Sequence, residues 1–207
     1  MIHVGVVGHY DRQHQVDELG AQVCADFVCL DDGSLGCRAN HVNAWNWHAA
    51  WPAEWAVVLE DDAIPVDGFR DQLATALSVA PAPIVSLYLG YGYIYDRDVK
   101  HHLDQAEIID ANWIVTGRVL HAVGLAIRGE LVESLLAGLP RDKTQAIDRS
   151  VSLWARRAGH EVAYTIPSLV DHRDDTSLVL PHRKRSPRKA WKVGGRNRWN
   201  PTSIAMV

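Results

Sequence analysis

Residues 55–65 read Trp55-Ala56-Val57-Val58-Leu59-Glu60-Asp61-Asp62-Ala63-Ile64-Pro65. The run up to Leu59 is apolar, too short for a helix and without a polar face, which is the pattern of a central strand buried on both sides in an α/β sheet. Three acids follow it without a gap. In open α/β sheets ligands bind beyond the carboxyl ends of the strands, so these acids stand where a site belongs. Strand alternation would turn Glu60 and Asp62 to one side and Asp61 to the other. Adjacent carboxylates repel, and a cation relieves that repulsion; hard oxygen ligands select Mg²⁺ or Mn²⁺, ions that bridge nucleotide phosphates. A solvated acidic turn would show the same three letters, so the surrounding chain has to decide.

Upstream, Ile2 to Val7 is a valine-rich strand closed by Gly8, with His9, Tyr10, Asp11 and Arg12 at its carboxyl end. A helical stretch through Val16, Leu19 and Val23 leads to a second strand, Phe27 to Leu30, which stops at Asp31-Asp32-Gly33. Asp32 or Ser34 is placed to cap a helix carrying Leu35, Ala39, Val42, Trp45 and Ala49 on one face, ended by Pro52. Trp45, Trp47, Trp51 and Trp55 read as core and helix packing rather than as sugar-stacking rings. Downstream, Phe69 to Val79 reads as a helix, Ile84 to Leu89 as a strand and Gly90 to His102 as a loop. Strands are expected at Glu107–Ile109, Trp113–Val115 and Val123–Ile127, and helices at Glu130–Leu136 and Ala146–Ala158. The alternation is that of an α/β domain, with no internal repeat.

Composition narrows the class. At 207 residues, 47% hydrophobic and 22% charged, the chain has the make-up of an ordinary globular domain, which sets aside disordered, collagen-like and coiled-coil classes. Cys24, Cys29 and Cys37 are odd in number and lack CxxC spacing, which argues against a disulfide framework or a thiolate zinc site and for a reducing compartment. The start MIHVGVVGHYDR has no basic segment before an apolar core, and no stretch approaches the ~20 apolar residues of a membrane span. A cytoplasmic location without a span is therefore expected. The net charge of -4 is unevenly spread: eight Lys or Arg and no acid follow Leu180, leaving 13 basic and 25 acidic residues before it. This composition divides the chain into a domain, 1–180, and a basic, Trp-containing tail, 181–207.

The segment Gly36-Cys37-Arg38-Ala39-Asn40-His41-Val42-Asn43-Ala44-Trp45, followed by Leu59-Glu60-Asp61-Asp62-Ala63-Ile64-Pro65, resembles the family 25 glycosyltransferases, the lipooligosaccharide and collagen-type sugar transferases. Their pattern runs GxxGCxxSHxxxW and then LEDDxxP; Asn40 stands where that pattern has serine. Weaker likeness continues in Gln145-Ala146-Ile147-Asp148-Arg149 and in Ile166-Pro167-Ser168-Leu169-Val170-Asp171-His172. The resemblance implies a GT-A type fold, that is, a Rossmann-like mixed sheet flanked by helices in a single domain. It also implies a nucleotide-diphosphate sugar donor, with a UDP-sugar favoured, and a divalent ion, Mn²⁺ or Mg²⁺.

By that resemblance Asp62, with Glu60, holds the metal, Asp61 meets the donor ribose or sugar, and a late histidine completes the metal site. His172 is the candidate and His182 its rival. An inverting transfer needs a base at the acceptor hydroxyl, for which Asp148 is chosen, with Asp142 and Asp110 as fallbacks. From their places at strand ends, His9, Arg12, Asp31 and Asp32 are expected at the donor, and Arg38 has the fork that suits a phosphate. Trp113 is expected on the acceptor side. Arg188 and Lys192 belong to a basic segment that reads three ways: a lid over the diphosphate, a DNA- or RNA-binding element, or a solvated tail. The acceptor stays open between a glycan, a protein and a hydroxylated DNA base, the last because bacteriophage DNA-modifying sugar transferases broadly resemble this chain. Two other classes compete: a two-ion phosphoesterase or nuclease built on His9, Asp11, Asp61, Asp62 and His172, and a non-catalytic nucleic-acid-binding module.

Overall fold

The computed structural model describes residues 1–91, 96–142, 144–175 and 188–206. The first half runs β1 (Ile2–His9), α1 (Gln13–Gln22), β2 (Phe27–Asp31), α2 (Cys37–Ala50) and β3 (Trp55–Glu60). β1 lies between β2 and β3 and is parallel to both. Val16 and Leu19 of α1 pack on one face of these strands, and Ala44 and Trp45 of α2 belong to the core of the other. The connection from β1 to β2 therefore crosses one face, and the connection from β2 past β1 to β3 crosses the other. That arrangement is a topological switch point, and it opens a crevice beyond the carboxyl ends of β1 and β3.

The second half contributes β4 (Ala63–Pro65), α3 (Phe69–Leu77), β5 (Ile84–Ser86), α4 (Asp96–Ile108), β6 (Trp113–Thr116), β7 (Gly124–Arg128), α5 (Val132–Gly138), α6 (Ile147–Ala158), β8 (Val162–Thr165), β9 (Val170–His172) and β10 (Ser203–Ala205). Eight strands form one sheet in the order β10-β6-β8-β5-β7-β3-β1-β2. β7 is antiparallel to both β3 and β5, and β6 is antiparallel to β8, so the sheet is mixed. The result is one α/β domain with helices on both faces, consistent with a Rossmann-like GT-A fold. β4 and β9 pair separately as a short antiparallel ladder. Among the described residues no helix is long and apolar enough to cross a membrane.

Several expected elements differ. The strand expected at Glu107–Ile109 and the end of the loop expected before His102 are α4, which buries Val99 and Ala106, carries Asp96 and Asp98 in its first turn and pairs Lys100 with Asp104. Ile108 and Ile109 suggested a strand, yet both are exposed. Residues 92–95 of that loop lie outside the described residues. The helix expected to be capped by Asp32 or Ser34 starts later, with Gly36 as its N-cap at φ 81. Asp31 organises the approach by accepting from the backbone N–H groups of Gly33, Leu35 and Gly36. Gly33, at φ 92, is the second left-handed position of this turn, which explains why two glycines precede Cys37.

The division at residue 180 does not hold for residues 188–206. Trp199 and Ala190 are in the core, and β10 extends the main sheet parallel to β6. Lys189 pairs with Asp171 at 3.3 Å, Lys192 with Glu107 at 3.4 Å and Arg196 with Asp110 at 2.7 Å. Positive charge concentrated at this end of the chain neutralises acids of the body, so a compositional boundary has become an intramolecular contact.

Candidate functional site

The three acids part company at the end of β3. The strand stops at Glu60 and the chain turns through Asp61 and Asp62 into β4, so strand alternation no longer governs where the last two point. Glu60 goes to α2, with Oε1 3.0 Å from His41 Nε2. Asp61 turns to β1: its Oδ2 accepts from the His9 backbone N–H at 3.1 Å and its Oδ1 from Arg12 Nη1 at 2.9 Å. Asp62 Oδ2 lies 3.6 Å from Arg12 Nη1 and 3.2 Å from His172 Nε2. Glu60 is thus corrected out of the metal set expected around Asp62. Close packing fixes this corner: a Cβ on Gly8 would meet Val16 at 2.3 Å and Asp61 at 3.0 Å.

His172 reaches Asp62 through the β4–β9 ladder. Ala63 is the partner of His172 in its register, and the Arg173 N–H donates to the Asp62 carbonyl at 2.7 Å. Both side chains are buried. Asp62 Oδ1 and the two ring nitrogens of His172 are buried without an aligned hydrogen bond, although Nε2 lies 3.2 Å from Asp62 Oδ2. Burial pushes the Asp62 carboxyl up, but His172, Arg188 and Arg12 outweigh it and hold the group below the usual carboxylate range. Burial and the Asp62 charge instead hold Asp61 above that range, against Arg12 and the His9 N–H. Arg188, which also donates its backbone N–H to Asp174, brings positive charge to Asp62. His121 and Tyr88 complete the wall, their rings 5.1 Å apart and Tyr88 6.0 Å from His172. Burial, with His172 and Arg188 nearby, pushes the His121 pKa down to about 3.

A second group sits on the α2 side. One ligand atom each from Cys37, His41 and Glu60 lie within 4.8 Å of one another. Burial alone would lower the His41 pKa, but its bonds to Cys37 and Glu60 raise it to about 10. Asp148, in the first turn of α6, is near this group: burial and the Glu60 charge hold its carboxyl above the usual range, against the Arg149 N–H, which donates to it at 2.6 Å, and the nearby His41. Asn40, at the position where the resembling pattern has serine, donates to the carbonyls of Gly8 and Cys29 and so ties α2 to both β1 and β2.

His9, Arg12, Asp61, Asp62, His172 and Arg188 therefore converge, and Glu60 with Asp148 lies in the adjoining group. Others do not join them. Arg38 is corrected from a phosphate ligand to a structural tie: it donates to the carbonyls of Pro140 and Gln145 and to Ser150 Oγ, fastening α2 to α6. Trp113 is corrected from an acceptor platform to a core residue, fully buried with its Nε1 donating to Asn200 O at 2.7 Å. Lys192 pairs with Glu107 of α4. Asp31 is occupied by its turn, and Asp32, exposed, accepts from the Ser34 N–H. The fallback bases are engaged elsewhere, Asp142 with Thr144 and Asp110 with Arg196; His182 lies outside the described residues. Cys37, His41, His121 and Tyr88 carried no assigned role. The i,i+4 spacing of Cys37 and His41 on one helix was the signal for the first pair.

No family model matches the chain, and no curated protein matches it. Among solved structures, A197 from STIV superposes with a TM-score of 0.46 at 12% sequence identity, covering 88% of this chain and 92% of that one. A likeness of that size carries nothing further for this chain.

Proposed function

We propose that the chain is a glycosyltransferase that moves a sugar from a nucleotide-diphosphate donor, a UDP-sugar by preference, to an acceptor hydroxyl with inversion. One observation carries this reading: Asp62 and His172, far apart in sequence, meet beyond the switch point with three buried polar atoms lacking hydrogen-bond partners. A carboxylate oxygen and an imidazole nitrogen left in that state suit a divalent ion such as Mn²⁺. When bound, the ion offsets charge on the departing diphosphate. Arg12 and Arg188 add fixed positive charge beside it, and the bonds from His9 N and Arg12 hold Asp61 in one orientation toward the donor. Asp148, its carboxyl held above the ordinary range, accepts the acceptor's hydroxyl proton as that oxygen bonds to the anomeric carbon and the diphosphate leaves.

A glycan or a protein is the better-supported acceptor. The DNA reading drew on the positive charge of the tail, and among its described residues Lys189, Lys192 and Arg196 are paired with acids of the domain. The two-ion phosphoesterase is disfavoured by Arg12, which contacts both Asp61 and Asp62 where a second cation would have to bind. A thermal-shift panel of UDP- and GDP-sugars with Mn²⁺ tests the proposal: a donor at 100 times its Kd stabilises by about 2.7 kcal/mol. No shift with any sugar nucleotide, together with Mn²⁺-dependent cleavage of phosphodiesters, would contradict it.

A further inference from the structure

Cys37 is the first residue of α2 and His41 lies one turn later on the same side, so the two side chains are helical neighbours. Glu60, from the end of β3, closes the group with Oε1 3.0 Å from His41 Nε2. His41 is 1% exposed and presents Nε2 to Glu60, while its other ring nitrogen, Nδ1, is buried without a hydrogen-bond partner. Cys37 is exposed, so solvent reaches the group from that side.

We propose that Cys37, His41 and Glu60 bind one Zn²⁺ ion, a site separate from Asp62 and His172. A tetrahedral ion with bonds of about 2.0–2.3 Å keeps its ligand atoms roughly 3.3–3.8 Å apart. The three atoms here, within 4.8 Å of one another, need only small side-chain shifts to meet that spacing. Thiolate, imidazole and carboxylate together select Zn²⁺ over Mg²⁺ or Mn²⁺, whereas Asp62 and His172 offer no sulfur. The two sites therefore sort cations by ligand softness. Three protein ligands leave a fourth position to water, so the site is open. Binding releases the proton on the ligating His41 nitrogen, and any on the Cys37 sulfur, to solvent, so affinity falls as the solution is acidified. A single thiolate suffices for this site, which is why the missing CxxC spacing does not exclude it.

Co²⁺ is the probe, because a cobalt–thiolate bond produces a charge-transfer band in the near ultraviolet that oxygen and nitrogen ligands do not. Titrating the metal-free, reduced full chain with Co²⁺ should develop this band to saturation at one equivalent, and Zn²⁺ should displace it. Cys24→Ser, Cys29→Ser and Asp62→Asn should keep the band; Cys37→Ser should lose it. A second measurement needs no variant: Zn²⁺ should slow alkylation of Cys37 in the wild-type chain. Absence of the band at saturating Co²⁺, its survival in Cys37→Ser, or undiminished alkylation of Cys37 with Zn²⁺ would overturn the assignment. Because none of these readouts involves a sugar nucleotide, failure here is distinguishable from failure of the transferase reading.

Discussion

His48, inside α2, ties stability to pH. Its Nε2 lies 3.1 Å from the Val57 carbonyl and the Phe27 ring packs edge-on at 5.0 Å, while burial pushes its pKa down to about 4. Burial does the same to His121, whose pKa falls to about 3. Both must stay neutral in the fold, whereas in the unfolded chain they take up protons near the ordinary value of 6.5. The unfolded state therefore binds more protons below that value, and stability falls as pH drops through this window. His41 has the opposite sign: its pKa is raised to about 10, so its contribution is lost as pH rises through that value and is already complete below 6.5. Acidification from neutrality toward pH 4 should lower the urea midpoint, with His48 accounting for about 3 kcal/mol at the acid end. His48→Gln should flatten the fall; an unchanged slope in that variant would show that His48 is not its source. At this scale the sequence displays local features and hides partners brought from afar. Asp62 stood out because a strand end is a local feature. His172 was one histidine among eleven until the β4–β9 ladder set it beside Asp62. Arg38 and Trp113 misled because residue type alone does not say whether a fork or an indole faces a ligand or the interior.

Among the elements, the strands up to β3 were readable because continuous apolar runs and turn glycines are local signals. α4 was not: its buried face is narrow, and two exposed isoleucines at its end imitate a strand. The last strand, β10, was hidden by the cations before it, since charge counts do not reveal that Lys189, Lys192 and Arg196 have acids waiting in the domain. Trp199 carries the consequence. It is buried against Trp113, with ring centroids 5.5 Å apart, and its Nε1 donates to Gln72 Oε1 at 2.9 Å. Trp199→Ala should destabilise the whole domain by about 3 kcal/mol or more, read as a shift in urea midpoint at constant m-value. A cost under about 1 kcal/mol would mean that this segment is an appendage after all.

For the whole molecule, the order β2-β1-β3 decides where chemistry can occur, because it opens a crevice at the ends of β1 and β3 and gathers His9, Arg12, Asp61 and Asp62 there. That much follows from an alternating α/β sequence with acids at a strand end. The division of the acids did not, since it depends on the turn into β4 and on partners from α2 and β9. One edge of the sheet consequently holds two groups of different chemistry, one with a sulfur atom and one without. In the proposed function, Asp62 and His172 hold the divalent ion that the donor requires. The most direct measurement is UDP-sugar binding by calorimetry, with and without Mn²⁺, in the wild-type chain and in Asp62→Asn. Binding by the wild type should depend on Mn²⁺, and Asp62→Asn, while remaining folded, should weaken it at least tenfold, about 1.4 kcal/mol. Binding that ignores Mn²⁺, or that keeps its Mn²⁺ dependence in Asp62→Asn, would contradict it and leave Arg12 and Arg188 as the groups that hold the diphosphate.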